Sequence, residues 1–362
     1  MKTLTLGLVG VGRIGQMHAQ NLLTVRDQVA ARGVQLEIVL ADADPQAARQ
    51  VGDRLGLRAA GSLEAMIGEG IDGLIIATNT ATHPDLIRAG LAAGLPVFCE
   101  KPVSSDVIGA LPLLKEIEAA SGVVQIGHQR RFDAGYQEAK RRFEAGDLGW
   151  LHSLRAVSGD AFPPAVEYLA SSGGIFRDMS VHDFDLIRWL TGQEIVEVYA
   201  RGTNNGDPAI RAVGDVDTAQ AVLTLADGTL ATAAATRYNG AGHDVRLDVQ
   251  GSKDTLVAGL DDRSALRSAE PEVNFPAGTA HATFAERFAD AYVAELVAFV
   301  ELVLGERENP CTPFDAVAAS LVADAAQLSL TRGEPVAVPS LREVLDGTAE
   351  PVPAVDLVPV PA

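Results

Sequence analysis

The chain has 362 residues, 47% of them hydrophobic, and a formal net charge of −19. That length exceeds what one core comfortably fills, so two domains are expected. The acidic balance excludes nucleic acid and anionic membranes as partners, because phosphate binding needs basic patches, and no run is long and apolar enough to span a bilayer.

Two cysteines, Cys99 and Cys311, form no disulfide framework and fit a reducing cytoplasm. Leu4-Thr5-Leu6-Gly7-Leu8-Val9 reads as a buried parallel strand. It begins so early that no secretory leader is expected. Gly10-Val11-Gly12-Arg13-Ile14-Gly15 follows at once, and Gln16 to Val29 has helical character. Strand, G-x-G-x-x-G, then helix is the setting that the dinucleotide fingerprint requires. Gly10 would allow the tight turn, Gly12 the approach of a pyrophosphate, and Gly15 close packing of helix on strand. The helix N-terminus would hold the phosphates.

A second strand, Leu36 to Ala41, ends at Asp42. An acidic residue there would bond the adenosine ribose and repel a 2′-phosphate. With Ala43-Asp44-Pro45 following and no adjacent Arg or Lys, NAD is favoured over NADP. The competing role for Asp42 is an N-cap of the next helix.

Further strands are expected at Gly73 to Ala77, Pro96 to Cys99 and Val123 to Ile126, with helices between them. Ser62 would cap a short helix. Thr78, Asn79 and His83 follow a strand's carboxyl end, where an open parallel sheet meets its ligand. Lys101 stands at the end of another, before Pro102. The alternation predicts a doubly wound α/β domain over residues 1–127.

In the second half, Gly173-Gly174 frees the backbone ahead of an apolar and polar run. Asp178, His182 and Asp185 are four and three residues apart, which puts them on one face of an α-helix. An imidazole flanked by carboxylates suits proton transfer; the same spacing also suits a metal. The loop Gly159 to Gly174 is long, and Asp160, Phe162 and Tyr168 are candidates to line a pocket. Five strands follow between Ile195 and Ala258 without intervening helices, so a large, mostly antiparallel open sheet is expected. Its alternation (Ala221, Leu223, Leu225) leaves one face for helices and one for partners. Phe284 to Leu304 reads as one long core helix carrying Tyr292, and Phe314 to Leu330 as another. These elements make an α+β domain over 128–345, with an extended tail at 346–362.

Gly10-Val11-Gly12-Arg13-Ile14-Gly15, Glu100-Lys101-Pro102, Arg130-Arg131-Phe132 and Asp178 with His182 occur in the order found in the Gfo/Idh/MocA family. The chain resembles that family over most of its length, and its inositol dehydrogenases most. The resemblance implies an NAD-binding Rossmann domain and a C-terminal sheet that builds a homo-oligomer, a dimer or tetramer. It implies that Gly10, Gly12, Arg13, Ile14, Gly15, Asp42, Thr78, Asn79, His83, Glu100 and Lys101 serve the cofactor. Lys101, Asp178 and His182 would surround the reacting hydroxyl, with Asp160 and Asp185 bonding the substrate and no metal required. The expected reaction is oxidation of a polyol, an inositol above all, to the ketone. An aldose or glycoside dehydrogenase is the alternative within the family. A silent NAD sensor and a metal-dependent lyase or hydrolase are the alternatives outside it.

Overall fold

A computed structural model describes residues 2–353 and residue 355. The expected tail therefore lies partly outside the described residues. The chain divides into two units: residues up to 129 with Asp290–Val317, and Arg130–Ala289 with the residues from 318 onward.

The first unit holds a six-stranded sheet: β1 (Lys2–Val9), β2 (Val34–Ala41), β3 (Arg58–Ala59), β4 (Gly73–Ile76), β5 (Val97–Glu100) and β6 (Val124–Gly127). Its order is β3-β2-β1-β4-β5-β6 and every pairing is parallel. The order reverses beside β1, and the crevice at the carboxyl ends of β1 and β4 is where this topology takes a dinucleotide. Leu4, Leu6 and Leu8 of β1 are buried on a sheet covered on both faces, so the strand reads as a continuous apolar run. The helix Arg13–Ala30 turns Ala19, Leu22, Val25 and Val29 onto it. Ser62 caps its short helix by accepting from the Ala65 N–H, as the sequence predicts.

One expectation needs correction. The long helix assigned to the second domain is two helices, Phe284–Arg287 and Ala289–Val303, broken at Phe288. The longer one belongs to the first unit, because Leu296, Phe299 and Val300 complete the core under β1. Tyr292 is 5% exposed, a core residue as its spacing suggests.

The second unit holds β7 (Leu151–Gly159), β8 (Ile195–Thr203), β9 (Thr218–Leu225), β10 (Leu230–Thr236), β11 (Asp244–Gly251), β12 (Thr255–Ala258) and β13 (Val336–Ala337). The order is β12-β11-β7-β10-β9-β8-β13. All neighbours run antiparallel except β7 and β10, which run parallel. Ala219, Ala221, Leu223 and Leu225 of β9 face the core, and Val222 between them is exposed. The helix Pro313–Arg332 covers the inner face, where Ser329 Oγ accepts from the Ala200 N–H of β8.

Candidate active site

In the first unit the three glycines meet three different demands. Gly10 has φ +92°, and a Cβ there would lie 2.6 Å from the Ala77 carbonyl oxygen. A Cβ on Gly15 would lie 1.9 Å from the Gly10 carbonyl oxygen, so strand end and helix touch through that glycine. A Cβ on Gly12 would meet nothing within 4 Å. Space beside the middle glycine is what a pyrophosphate requires. Gly12 is also the N-cap of Arg13–Ala30, with no side-chain cap and no acid in the first turn, so the helix end is open to an anion. Arg13 and Ile14 form that first turn.

Asp42 follows β2 and accepts from the Val11 N–H at 2.8 Å and the Asp44 N–H at 3.0 Å. It ties the glycine turn to the next strand end. The helix cap is Asp44, which accepts from the Gln46 N–H. The carboxylate thus stands beside the fingerprint, where a ribose would arrive, and no basic residue follows it up to Pro45. These residues fit NAD.

Thr78 and Asn79 follow β4. The Thr78 hydroxyl pairs with that of Thr82 at 2.7 Å, and Thr82 Oγ1 donates to the Asn79 carbonyl. His83 and Glu100 are both engaged within the protein. His83 is 1% exposed, and its two ring nitrogens face the carbonyls of Pro102 (2.8 Å) and Thr78 (3.2 Å). It braces one strand end against another. Glu100 Oε1 lies 2.6 Å from His18 Nε2, and its Oε2 accepts from the Lys101 N–H at 3.2 Å. Lys101 is half-buried, directly after β5.

The second unit gathers its own constellation around the residues after Gly173 and Gly174, which have φ +78° and +89°. Phe176–Ser180 is a π-turn, and the α-helix Val181–Thr191 starts only after it. Wider turns of this kind recur at functional sites. The regular helical spacing assumed from the sequence is therefore broken between Asp178 and His182. Asp178 Oδ2 accepts from Arg237 Nη1 at 3.0 Å, and its Oδ1 from the Tyr168 hydroxyl at 2.8 Å. Arg237 is 0% exposed and donates also to Asp215 at 2.8 Å. Asp215 in turn accepts from the Ile175 and Val216 N–H groups. The turn that carries Asp178 is thereby anchored just before its start and at its middle. His182 is 8% exposed in the first turn of the helix.

Asp185 is engaged within the protein as well. It is 1% exposed, and Arg131 grips both of its oxygens at 2.8 and 2.6 Å. A bidentate buried pair of this kind holds the helix to the segment after β6 and leaves the carboxylate committed. Asp183, its neighbour but one, is held by Arg130 at 2.6 Å and by Ser158. Burial pushes the Asp183 carboxyl upward, against the pull of Arg130 and Ser158. Asp160 Oδ1 lies 3.0 Å from His243 Nδ1. Arg237, Asp215 and His243 were not singled out by the sequence. Each lies far along the chain from its partner, and no local spacing links them.

A model described as the oxidoreductase family, NAD-binding Rossmann fold, matches residues 4–128, and the GFO/IDH/MocA C-terminal domain matches residues 136–257. The Myo-inositol dehydrogenase Hyg17 of Streptomyces leeuwenhoekii is 35% identical over 338 residues, 92% of this chain and 100% of the relative. The chain belongs to the Gfo/Idh/MocA family. Two solved structures extend the comparison to the fold. A myo-inositol dehydrogenase from Corynebacterium glutamicum superposes with a TM-score of 0.82 at 33% identity, over 93% of this chain and 99% of that one. The scyllo-inositol dehydrogenase from Lactobacillus casei, with bound NAD(H) and scyllo-inositol, gives 0.81 at 30% identity, over 93% and 99%. This Gfo/Idh/MocA member is an NAD-dependent oxidoreductase. Among the described residues no helix is long and apolar enough to cross a membrane.

Proposed function

We propose that this enzyme oxidises a secondary hydroxyl of a cyclic polyol, an inositol, to the ketone. The observation that carries this reading is the held carboxylate of Asp178, fixed by Arg237 and Tyr168 just before His182. Relatives named as inositol dehydrogenases support the substrate class. When bound, NAD accepts the hydride from the carbinol carbon. His182 takes the hydroxyl proton, since an imidazole has an unperturbed pKa of about 6.5, suited to neutral pH. Asp178 accepts from a hydroxyl or orients the ring. Lys101 lends positive charge to the oxygen as the proton leaves. Asp160, braced by His243, accepts from a further hydroxyl. Asp185 has no such role, because Arg131 holds it.

The test is a panel of inositol isomers and aldoses, each with NAD and with NADP, read by absorbance of the reduced nicotinamide. Turnover with an inositol and NAD is expected. His182→Ala should lose about 10²–10⁴ in kcat while binding NAD as before. Reduction with aldoses alone would move the substrate to the sugar branch of the family. Tight NAD binding with no turnover on the whole panel would make the protein a sensor.

We also propose that the exposed face of the seven-stranded sheet joins copies of the chain. Tyr199 and Val222 sit side by side in the β8–β9 register, 37% and 46% exposed. Two buried thiols, Cys99 and Cys311, support a cytoplasmic location.

A further inference from the structure

The first unit buries a polar cluster that the roles above leave unused. It comprises His18 of Arg13–Ala30, Glu100 at the end of β5 and Glu295 of Ala289–Val303. One nitrogen or oxygen from each lies within 4.8 Å of the others. His18 and Glu295 are 0% exposed. The surroundings are aromatic: the His18 ring meets Phe98 and Tyr292 edge-on, at 5.5 and 6.0 Å between centroids. Gln125 donates to the main-chain oxygen of Glu295 at 3.1 Å, which fixes that residue's backbone. Its two carboxyl oxygens, and His18 Nδ1, have no hydrogen-bond partner.

Two carboxyl groups this close, away from water, cannot both carry charge. Glu100 has the donors. His18 Nε2 lies 2.6 Å from one oxygen, and the Lys101 N–H points at the other from 3.2 Å. Glu295 has none. Burial first, and the charge of Glu100 second, push the Glu295 carboxyl well above its ordinary range. It is the neutral acid of the pair. His18 then carries its proton on Nε2, because an N–H on unpartnered Nδ1 would be a buried donor with no acceptor.

We propose that His18 and Glu295 are positioning residues for Lys101. Between them they hold Glu100 as the one anion of the cluster, whose second oxygen fixes the Lys101 main chain. A second charge at 295 would drive Glu100 off the imidazole and loosen the turn that presents the lysine. The proposal rests on the reading of Lys101 as a reaction residue.

The test compares wild type with His18→Leu, His18→Gln, Glu295→Leu and Glu295→Gln. The first readout needs no substrate: the rate at which the Lys101 amine displaces sulfite from trinitrobenzenesulfonate to become trinitrophenylated, followed by peptide mass mapping. Five lysines make the assignment simple. The leucine variants should change labelling of Lys101 severalfold and leave the other four unchanged. They should lower kcat about tenfold or more with NAD affinity held. The glutamine variants, which restore an N–H at 18 and a neutral planar group at 295, should recover both readouts. Where a leucine variant fails to fold, the glutamine variants carry the test, and labelling within about twofold of wild type is required of them. Folded leucine variants with wild-type labelling at Lys101 would overturn the proposal. So would an equivalent of tightly bound divalent metal whose removal reproduces the loss. Wild type that oxidises no polyol, but shows the expected labelling pattern, would sink the polyol assignment and leave the positioning intact.

Discussion

Asp178 and Asp185 stand seven residues apart, yet each has its own arginine, Arg237 and Arg131. Their different fates follow from how far each pair is buried. Asp185 is sealed in with its partner, whereas the Asp178 side chain keeps 13% exposure. Glu295 makes a contrasting case, a carboxyl with no partner at all. Its pKa in the folded protein is raised above the ordinary 4.5. Below that value it is protonated in both the folded and the unfolded chain. As pH rises past it, the unfolded chain loses the proton and the folded chain keeps it. Stability is therefore lost with rising pH, by about 1.4 kcal/mol per unit, until the folded group itself ionises. The melting temperature of wild type should fall more steeply above pH 4.5 than that of Glu295→Gln; parallel curves would show that Glu295 is ionised in the folded state. The placement of the glycine turn, Asp42 and Lys101 was legible because it is local: a turn, a strand end, a residue before proline. The His18–Glu100 contact spans 82 residues, and Arg237 reaches Asp215 and Asp178 across 22 and 59, which spacing cannot reveal.

Elements were read well where burial imposes one period. The strand Leu4 to Val9 and the alternating Ala221, Leu223, Leu225 both keep their predicted faces. The periodic reading failed at Phe176–Ser180, where the π-turn changes the register between Asp178 and His182. It failed again at 284–304, where pattern showed a buried helix but not which core buries it. Phe299 decides that question. It is 0% exposed and packs against Phe98 of β5 at 5.8 Å between ring centroids. Phe299→Ala should cost about 3–5 kcal/mol of unfolding free energy in urea titration. A cost under about 1 kcal/mol would mean that the helix is not part of that core.

At the scale of the whole molecule, the open sheet of the second unit keeps one face to itself. Along neighbouring strands that face carries Tyr199, Val222, Thr232 and Arg155. Exposed apolar residues in register suit a self-complementary contact. Val222→Glu should reduce the mass seen by light scattering after gel filtration and leave NAD affinity unchanged. An unaltered mass would overturn the proposed contact through this face.

Residues 290–317 complete a unit that the chain began to build at its start. During synthesis, the residues up to 129 must wait for the distant segment 290–317 to be made. Until Leu296, Phe299 and Val300 leave the ribosome, the apolar surface they cover on the nascent sheet stays bare. The same interleaving tells an engineer where not to cut: a fragment ending at residue 129 would be sticky rather than a portable nucleotide-binding module.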